Sequence, residues 1–426
     1  MNIIIKNGRI INPATGIDQI SDLQIVDGII SKIDKNIEDN NGLILDATGC
    51  FVMPGFIDLH VHLREPGFEH KETVLSGTSA AVKGGFTTVC AMPNTNPVTD
   101  NPETVRFINE KATEAGKANV LVVGAVTKGQ KGEEVSDIIG MKNAGICAIS
   151  EDGKSVMNRE LYKNAMKIAA KEGIPVFAHC EDINLVNGGV INDGEKSKEL
   201  GIKGISNESE DVIIKRDIEL AKETGARLHI CHLSTKESLN IISEARKNGI
   251  NVTGEVCPHH FTLTEDDIKD GDTNYKMNPP LRKKADRDAL LEGLKDDVFD
   301  VIATDHAPHH ADEKNQSIST APFGIVGLET ALPLTVTELL AKGIISPKQM
   351  AEKLSYNPAK ILGIDKGDIS VGKVADVTII NPEMEYKIDI NEFASKSKNT
   401  PFNERSVKGK VLYTIVNGKV VYRYDK

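Results

Sequence analysis

The sequence predicts an α/β protein: a (β/α)8 barrel of the TIM type, carrying a small β-domain built from both chain ends. Two observations predict it. The middle of the chain alternates short apolar runs with helical patterns eight times, and eight β-then-α units are the number that closes a parallel barrel. The two ends resemble each other instead, each rich in β-branched residues around Asn-Gly or Asp-Gly. The barrel is expected over 53–365 and a composite β-sandwich over 1–52 with 366–426. An open doubly wound sheet is the alternative for the middle, and two separate modules the alternative for the ends.

At the N-terminal end, runs 3–6 and 9–11 flank Asn7-Gly8, and runs 23–26 and 29–33 flank Asp27-Gly28. At the C-terminal end, 411–416 and 419–422 flank Asn417-Gly418, with a further strand-like run at 374–380. These dipeptides accept φ > 0 at both centres of a type I′ turn, so three hairpins are expected. Separate hairpins would leave open sheet edges, which is the reason for packing the ends together. The eight apolar runs of the middle are 56–62, 87–92, 120–126, 146–152, 176–179, 228–232, 252–256 and 301–305. Helical patterns at 103–115, 159–171, 211–223 and 239–247 lie between them. Ser234-Thr-Lys-Glu237 and Ser346-Pro-Lys-Gln349 read as capping boxes, the latter with Pro347 at the first helical position.

Composition narrows the function. The chain has 426 residues, 39% hydrophobic and 27% charged, with 51 Lys+Arg against 62 Asp+Glu and a net charge of −11. That balance disfavours a general nucleic-acid binder, which needs a basic face. No apolar stretch approaches the roughly 18 residues of a spanning helix, and the run at 3–5 is too short for a signal-peptide core. Six cysteines without a CxxC pair suggest reduced thiols and a cytoplasmic protein.

Chemistry gathers at the run ends, where a barrel carries its functional groups. The first run ends His60-Val61-His62, the fourth Glu151-Asp152, the fifth His179, the sixth His232 and the eighth Asp305-His306. Residues i and i+2 of a strand share a face, so both imidazoles of His60 and His62 enter the mouth together. Imidazole and carboxylate suit Zn²⁺ or a similar ion. Four histidines and two carboxylates exceed one tetrahedral site and suit two ions sharing a carboxylate and a hydroxide. By the same alternation His229 should face the helices. His70, His229 and His310 are read as structural or surface residues. Cys257-Pro258-His259-His260 is read as support for the site.

The stretch Pro54-Gly55-Phe56-Ile57-Asp58-Leu59-His60-Val61-His62-Leu63-Arg64-Glu65-Pro66-Gly67 resembles the opening strand motif of dihydroorotases, metal-dependent barrel hydrolases of the amidohydrolase superfamily. Ala303-Thr304-Asp305-His306-Ala307-Pro308-His309 resembles their second signature. Ala91-Met92-Pro93-Asn94-Thr95 and Met277-Asn278-Pro279-Pro280-Leu281-Arg282 also fit. The resemblance spans roughly 50–365.

It implies zinc-dependent, reversible cyclisation of N-carbamoyl-L-aspartate to L-dihydroorotate in pyrimidine synthesis. By this resemblance His60, His62 and Asp305 hold one zinc and His179 and His232 the other. Asp152 and a hydroxide bridge the two, and Asp305 shuttles the proton. Many relatives bridge with a carboxylated lysine, but here the fourth run ends Ser150-Glu151-Asp152-Gly153, with Lys154 beyond a glycine. Glu151 is the competitor to Asp152, with its side chain expected on the other face. The substrate contacts implied are His62, Leu63, Arg64, Asn94, Asn278, His309, Phe323 and Gly324, with Arg64 meeting a carboxylate. Segment 310–320 is either a lid or an ordinary loop. A homodimer is expected from prevalence, and some members associate with aspartate transcarbamoylase. The rival readings are a hydantoinase or allantoinase, whose substrates lack the ring carboxylate, and a non-catalytic scaffold.

Overall fold

In the computed structural model, residues 2–38, 42–269 and 271–424 are described. Eight strands form one parallel sheet in chain order: Phe56–Val61, Phe86–Ala91, Asn119–Ala125, Ile146–Ser150, Val176–Ala178, Leu228–Ile230, Val252–Val256 and Val301–Ile302. Each grows from one of the eight apolar runs. The sheet is nearly closed. Between its first and last strands the seam consists of a bridge from Val61 to His306, with His62 N–H donating to His306 O at 2.9 Å and Thr304 N–H to the Asp58 carboxylate at 3.1 Å.

The barrel interior holds Ile57, Leu59, Cys90, Met92, Val123, Ala148, Phe177, Cys231, Val301 and Ala303, all buried. A larger core lies between strands and helices. The helices begin where side chains satisfy their first amides: Asn101 caps Pro102–Ala115, Asn158 caps Arg159–Glu172 and Thr235 caps Lys236–Lys247. Thr235, not Ser234, is therefore the cap; the Ser234 hydroxyl is drawn to buried Glu210. The capping box at Ser346 forms as expected.

Both chain ends join one eight-stranded sheet. The strand Phe51–Pro54 pairs with Asn2–Asn12 on one side and Val377–Lys387 on the other. Ile3, Ile5, Leu23, Ile25, Val377, Ile379 and Ile415 share its core. Asp27-Gly28 and Asn417-Gly418 turn hairpins, joining Val26 to Ile29 and Val416 to Lys419. Asn7-Gly8 does not. It is a bulge inside the continuous strand Asn2–Asn12, with Asn7 at φ 61° and its N–H on the Asp22 carboxylate. Gly8 is needed there for contact, since a Cβ would lie 2.4 Å from Val52 Cγ2. No helix among the described residues is long and apolar enough to cross a membrane.

Candidate functional site

Five strand ends deliver the proposed ligands to one point. His60 Nε2 lies 3.1 Å from Asp152 Oδ1, and His62 Nε2 lies 3.1 Å from Asp305 Oδ1 and 3.5 Å from Asp152 Oδ2. His179 Nδ1 and His232 Nε2 face each other at 2.9 Å, at 3.8 and 3.9 Å from Asp152 Oδ1. Two donor triads overlap on one residue: His60, His62 and Asp152, and Asp152, His179 and His232. His60, His232 and Asp305 form a third. Glu151 is turned away, bound to the Thr127 N–H and hydroxyl.

The donor set fits divalent metal. His60 Nε2 and His179 Nε2 are buried with no hydrogen-bond partner among the described residues. Each first-strand imidazole is held from behind. His60 Nδ1–H donates to Glu255 Oε1 at 2.8 Å and His62 Nδ1–H to Asn94 Oδ1 at 2.8 Å, which leaves both Nε2 lone pairs facing inward. Burial would push the Asp305 and Asp152 carboxyls up, but the surrounding imidazoles, His60 foremost, hold both well below the usual carboxylate range. Burial, reinforced by His179 and His60, drops His232 to about 3, so it presents a neutral nitrogen. His232, Asp305 and Arg64 all sit just past strand ends in left-handed backbone, φ 34°, 45° and 63°. Such conformations in non-glycine residues gather at functional sites.

Above the cluster opens a cavity of about 310 Å³, lined by His62, Arg64, Asn94, Asp152, His179, His232, Asn278, Asp305, His309, Phe323 and Gly324, with Met277, Gly153, Ala307 and Pro322. His60 is fully buried beneath. Leu63 does not line the cavity: its side chain packs toward Gly77 on the helix Val74–Lys83. Arg64 Nε donates to Pro308 O at 3.1 Å, and Nη2 lies 3.3 Å from His309 Nε2. His309 Nε2–H donates to Phe323 O at 2.9 Å, and burial beside Arg64 and Lys71 keeps the ring neutral. Asn94 Nδ2 donates to Asp152 at 3.2 Å, and Asn278 Nδ2 to Glu181 at 2.9 Å. Both backbone groups of Gly324 are engaged: its N–H with Lys276 O, its carbonyl with Lys314 and Asn399.

His229 overturns its expectation. It points into the barrel, its ring 5.2 Å from that of Phe177 and its Nε2 2.9 Å from Glu255. The alternation argument failed because His232 lies beyond the strand in left-handed backbone, so its direction says nothing of strand parity. His70 and His310 are exposed, His310 capping the short helix Ala311–Lys314. His259 and His260 are buried outside the cavity lining, His260 on Pro279 O at 2.9 Å. Segment 310–320 is pinned by two buried lysines, Lys314 on Pro322 O and Lys276 on Ile318 O. Sequence reasoning missed Glu255, Glu181 and these lysines. Glu255 had a signal, a carboxylate inside the seventh apolar strand.

A dihydro-orotase-like family model matches residues 49–238. A dihydroorotase of Acetivibrio thermocellus is 48% identical over 421 residues, covering 99% of each chain. One of Pelotomaculum thermopropionicum is 49% identical over 421 residues, 99% of this chain and 98% of the other. The chain belongs to the dihydroorotase family. Among solved structures, the L-hydantoinase (dihydropyrimidinase) of Arthrobacter aurescens shares the fold at TM-score 0.88 with 27% identity, covering 100% of this chain and 96% of that one. The dihydroorotase family is thus set here on a barrel fold shared with that hydantoinase.

Proposed function

We propose that the chain is a zinc-dependent dihydroorotase, interconverting N-carbamoyl-L-aspartate and L-dihydroorotate with water in pyrimidine synthesis. The observation that carries the reading is the pairing of a buried His4Asp2 cluster with a guanidinium at the rim of the same cavity. In this reading His60, His62 and Asp305 would hold one ion, His179 and His232 would hold the other, and Asp152 would be shared. When bound, such ions would supply Lewis acidity for the water and the amide carbonyl.

The chain's own groups do the rest. Arg64 takes the substrate carboxylate in a charge-assisted, bidentate pairing, helped by Asn94 and His309. Asn278 and the Phe323 backbone orient the ring amide beside Gly324, whose own backbone groups hold the loop. Asp305 accepts the proton of the attacking water and returns it to the ring nitrogen as the C–N bond breaks; ring closure runs the same transfers backwards. The hydantoinase reading is weaker because its substrates carry no carboxylate for Arg64, and because aspartate stands where those relatives carry lysine.

The test is ring opening of L-dihydroorotate by the zinc-loaded protein, with hydantoin alongside. Loss of dihydroorotate with hydantoin untouched is expected, and Asp305→Asn should abolish it while the fold persists. Hydantoin opening alone would transfer the chain to the neighbouring activity. Silence on both would favour a scaffold.

A further inference from the structure

We infer that Asn399, from the C-terminal part of the chain, is a positioning residue that holds the two substrate-reading loops in register. The inference rests on the dihydroorotase reading. Between the strands Val377–Lys387 and Ser406–Val416 the chain leaves the terminal sheet and runs to the barrel mouth. There the Ala394 and Ser395 N–H groups bind Glu329, the Lys396 N–H and Ser395 hydroxyl bind buried Glu72, and the Ser397 hydroxyl binds Lys71 O. The excursion is thereby anchored to the loop that follows the first barrel strand and to Glu329 beyond the eighth.

Asn399 is 5% exposed at its tip. Its Oδ1 accepts the His309 N–H at 3.0 Å, and its Nδ2 donates to Ala307 O and Gly324 O, each at 3.0 Å. Its own carbonyl accepts the Val326 N–H at 2.9 Å. A primary amide has two N–H groups and one carbonyl, and this one uses all three. Turned over, it would set oxygen against two carbonyls, so its orientation is forced. The segments it joins, 307–309 and 324–326, carry or adjoin the groups assigned to the substrate: His309 beside Arg64, and Gly324 next to Phe323. Asn399 itself does not line the catalytic cavity. Its influence runs through the backbones it ties.

The inference separates Asn399 from a filler. Asn399→Asp keeps the volume and the acceptor for the His309 N–H but faces two carbonyls with oxygen. A packing role predicts that Asp is tolerated better than Ala. A clamp predicts that Asp is at least as damaging. Because the loops hold substrate alike in ground and transition states, their displacement should appear in KM. The zinc-loaded N399D and N399A proteins should show KM for L-dihydroorotate raised at least ten-fold, kcat within three-fold and wild-type metal content. Folded, metal-loaded N399D with KM within two-fold of wild type would overturn the inference, as would a fall confined to kcat. A crystal structure of N399D gives a second reading independent of turnover. His309 and Gly324 should move apart by about an ångström or more, and unchanged positions overturn the clamp. Failure of wild type to open dihydroorotate would instead strike the functional reading, leaving the structural comparison to judge Asn399.

Discussion

Glu255 should set the affinity of the site for metal without touching the metal. Its carboxylate is wholly buried on the seventh strand and takes three N–H groups: His60 Nδ1 at 2.8 Å, His229 Nε2 at 2.9 Å and the His232 backbone at 3.2 Å. Burial opposes its charge, yet His229 and His60 hold the carboxyl down at about 2, so it is ionised throughout the working range. It therefore fixes the tautomer of one ligand and the backbone of another. Losing a carboxylate behind a ligating histidine costs about 10- to 100-fold in metal affinity, or about 1.4–2.7 kcal/mol. The two ends of that range belong to two variants. Glu255→Gln keeps an oxygen for His60. Its amide then faces His229, which can shift its proton to Nδ1, where the Thr253 hydroxyl lies at 2.9 Å. Charge is lost while the hydrogen bonds are kept, so about ten-fold is expected. Glu255→Leu strands all three donors, and about 100-fold is expected. Zinc affinity by chelator competition at fixed pH measures both. If folded E255L binds zinc as wild type does, Glu255 does not orient His60, and the ligand assignment built on that tautomer falls with it.

Arg64→Met should lower kcat/KM for L-dihydroorotate by about 100-fold, the loss of one charge-assisted contact of about 1.5–3 kcal/mol, and leave zinc content unchanged; steady-state kinetics with metal analysis checks both halves. Gly324→Ala should raise KM and lower Tm, because φ is +151° there and a Cβ would lie 2.6 Å from Ala307 O; kinetics and calorimetry read this. Asp58 gives a pH prediction. Its carboxyl is buried, with Oδ2 lacking a partner among the described residues, and burial pushes it to about 7. The folded state therefore binds a proton that the unfolded state, near 3.9, has released, so this stabilisation is full below about pH 4 and lost as pH rises through 7. Asp58→Asn removes the dependence, and its stability relative to zinc-saturated wild type should climb by up to about 1.4 kcal/mol per pH unit across that window. Urea unfolding of both proteins across pH measures the difference, and a flat difference would refute it.

Most of the barrel was legible because a buried parallel strand must be an unbroken apolar run and its rim must turn polar. Those two constraints alone place His60, His62, His179, His232 and Asp305 at the ends of their strands. What depended on exact backbone direction was not legible. His229 was misdirected because His232 leaves the strand in left-handed backbone. Asn7-Gly8 has turn chemistry but serves as a bulge, since the close approach of Val52 also demands glycine. Glu255 stood out as a carboxylate inside an apolar strand, but its role depends on His60 and His229, which other strands bring to it. Asn399 could not be found at all: its partners are backbone groups about 75 to 92 residues away, and no side-chain pattern encodes them.

The seam of the barrel gives the cluster a second meaning. Its first and last strands share a bridge at Val61–His306 and a few hydrogen bonds, while His60 and His62 sit on one lip and Asp305 on the other. An ion held by both lips would be a rivet across the sparsely bonded joint of the cylinder. Release of the ion and parting of the seam are then one equilibrium, so each ought to report on the other. The amides of His62 and Thr304, which cross that joint, become gauges of metal occupancy, exchanging with solvent as fast as the rivet comes out.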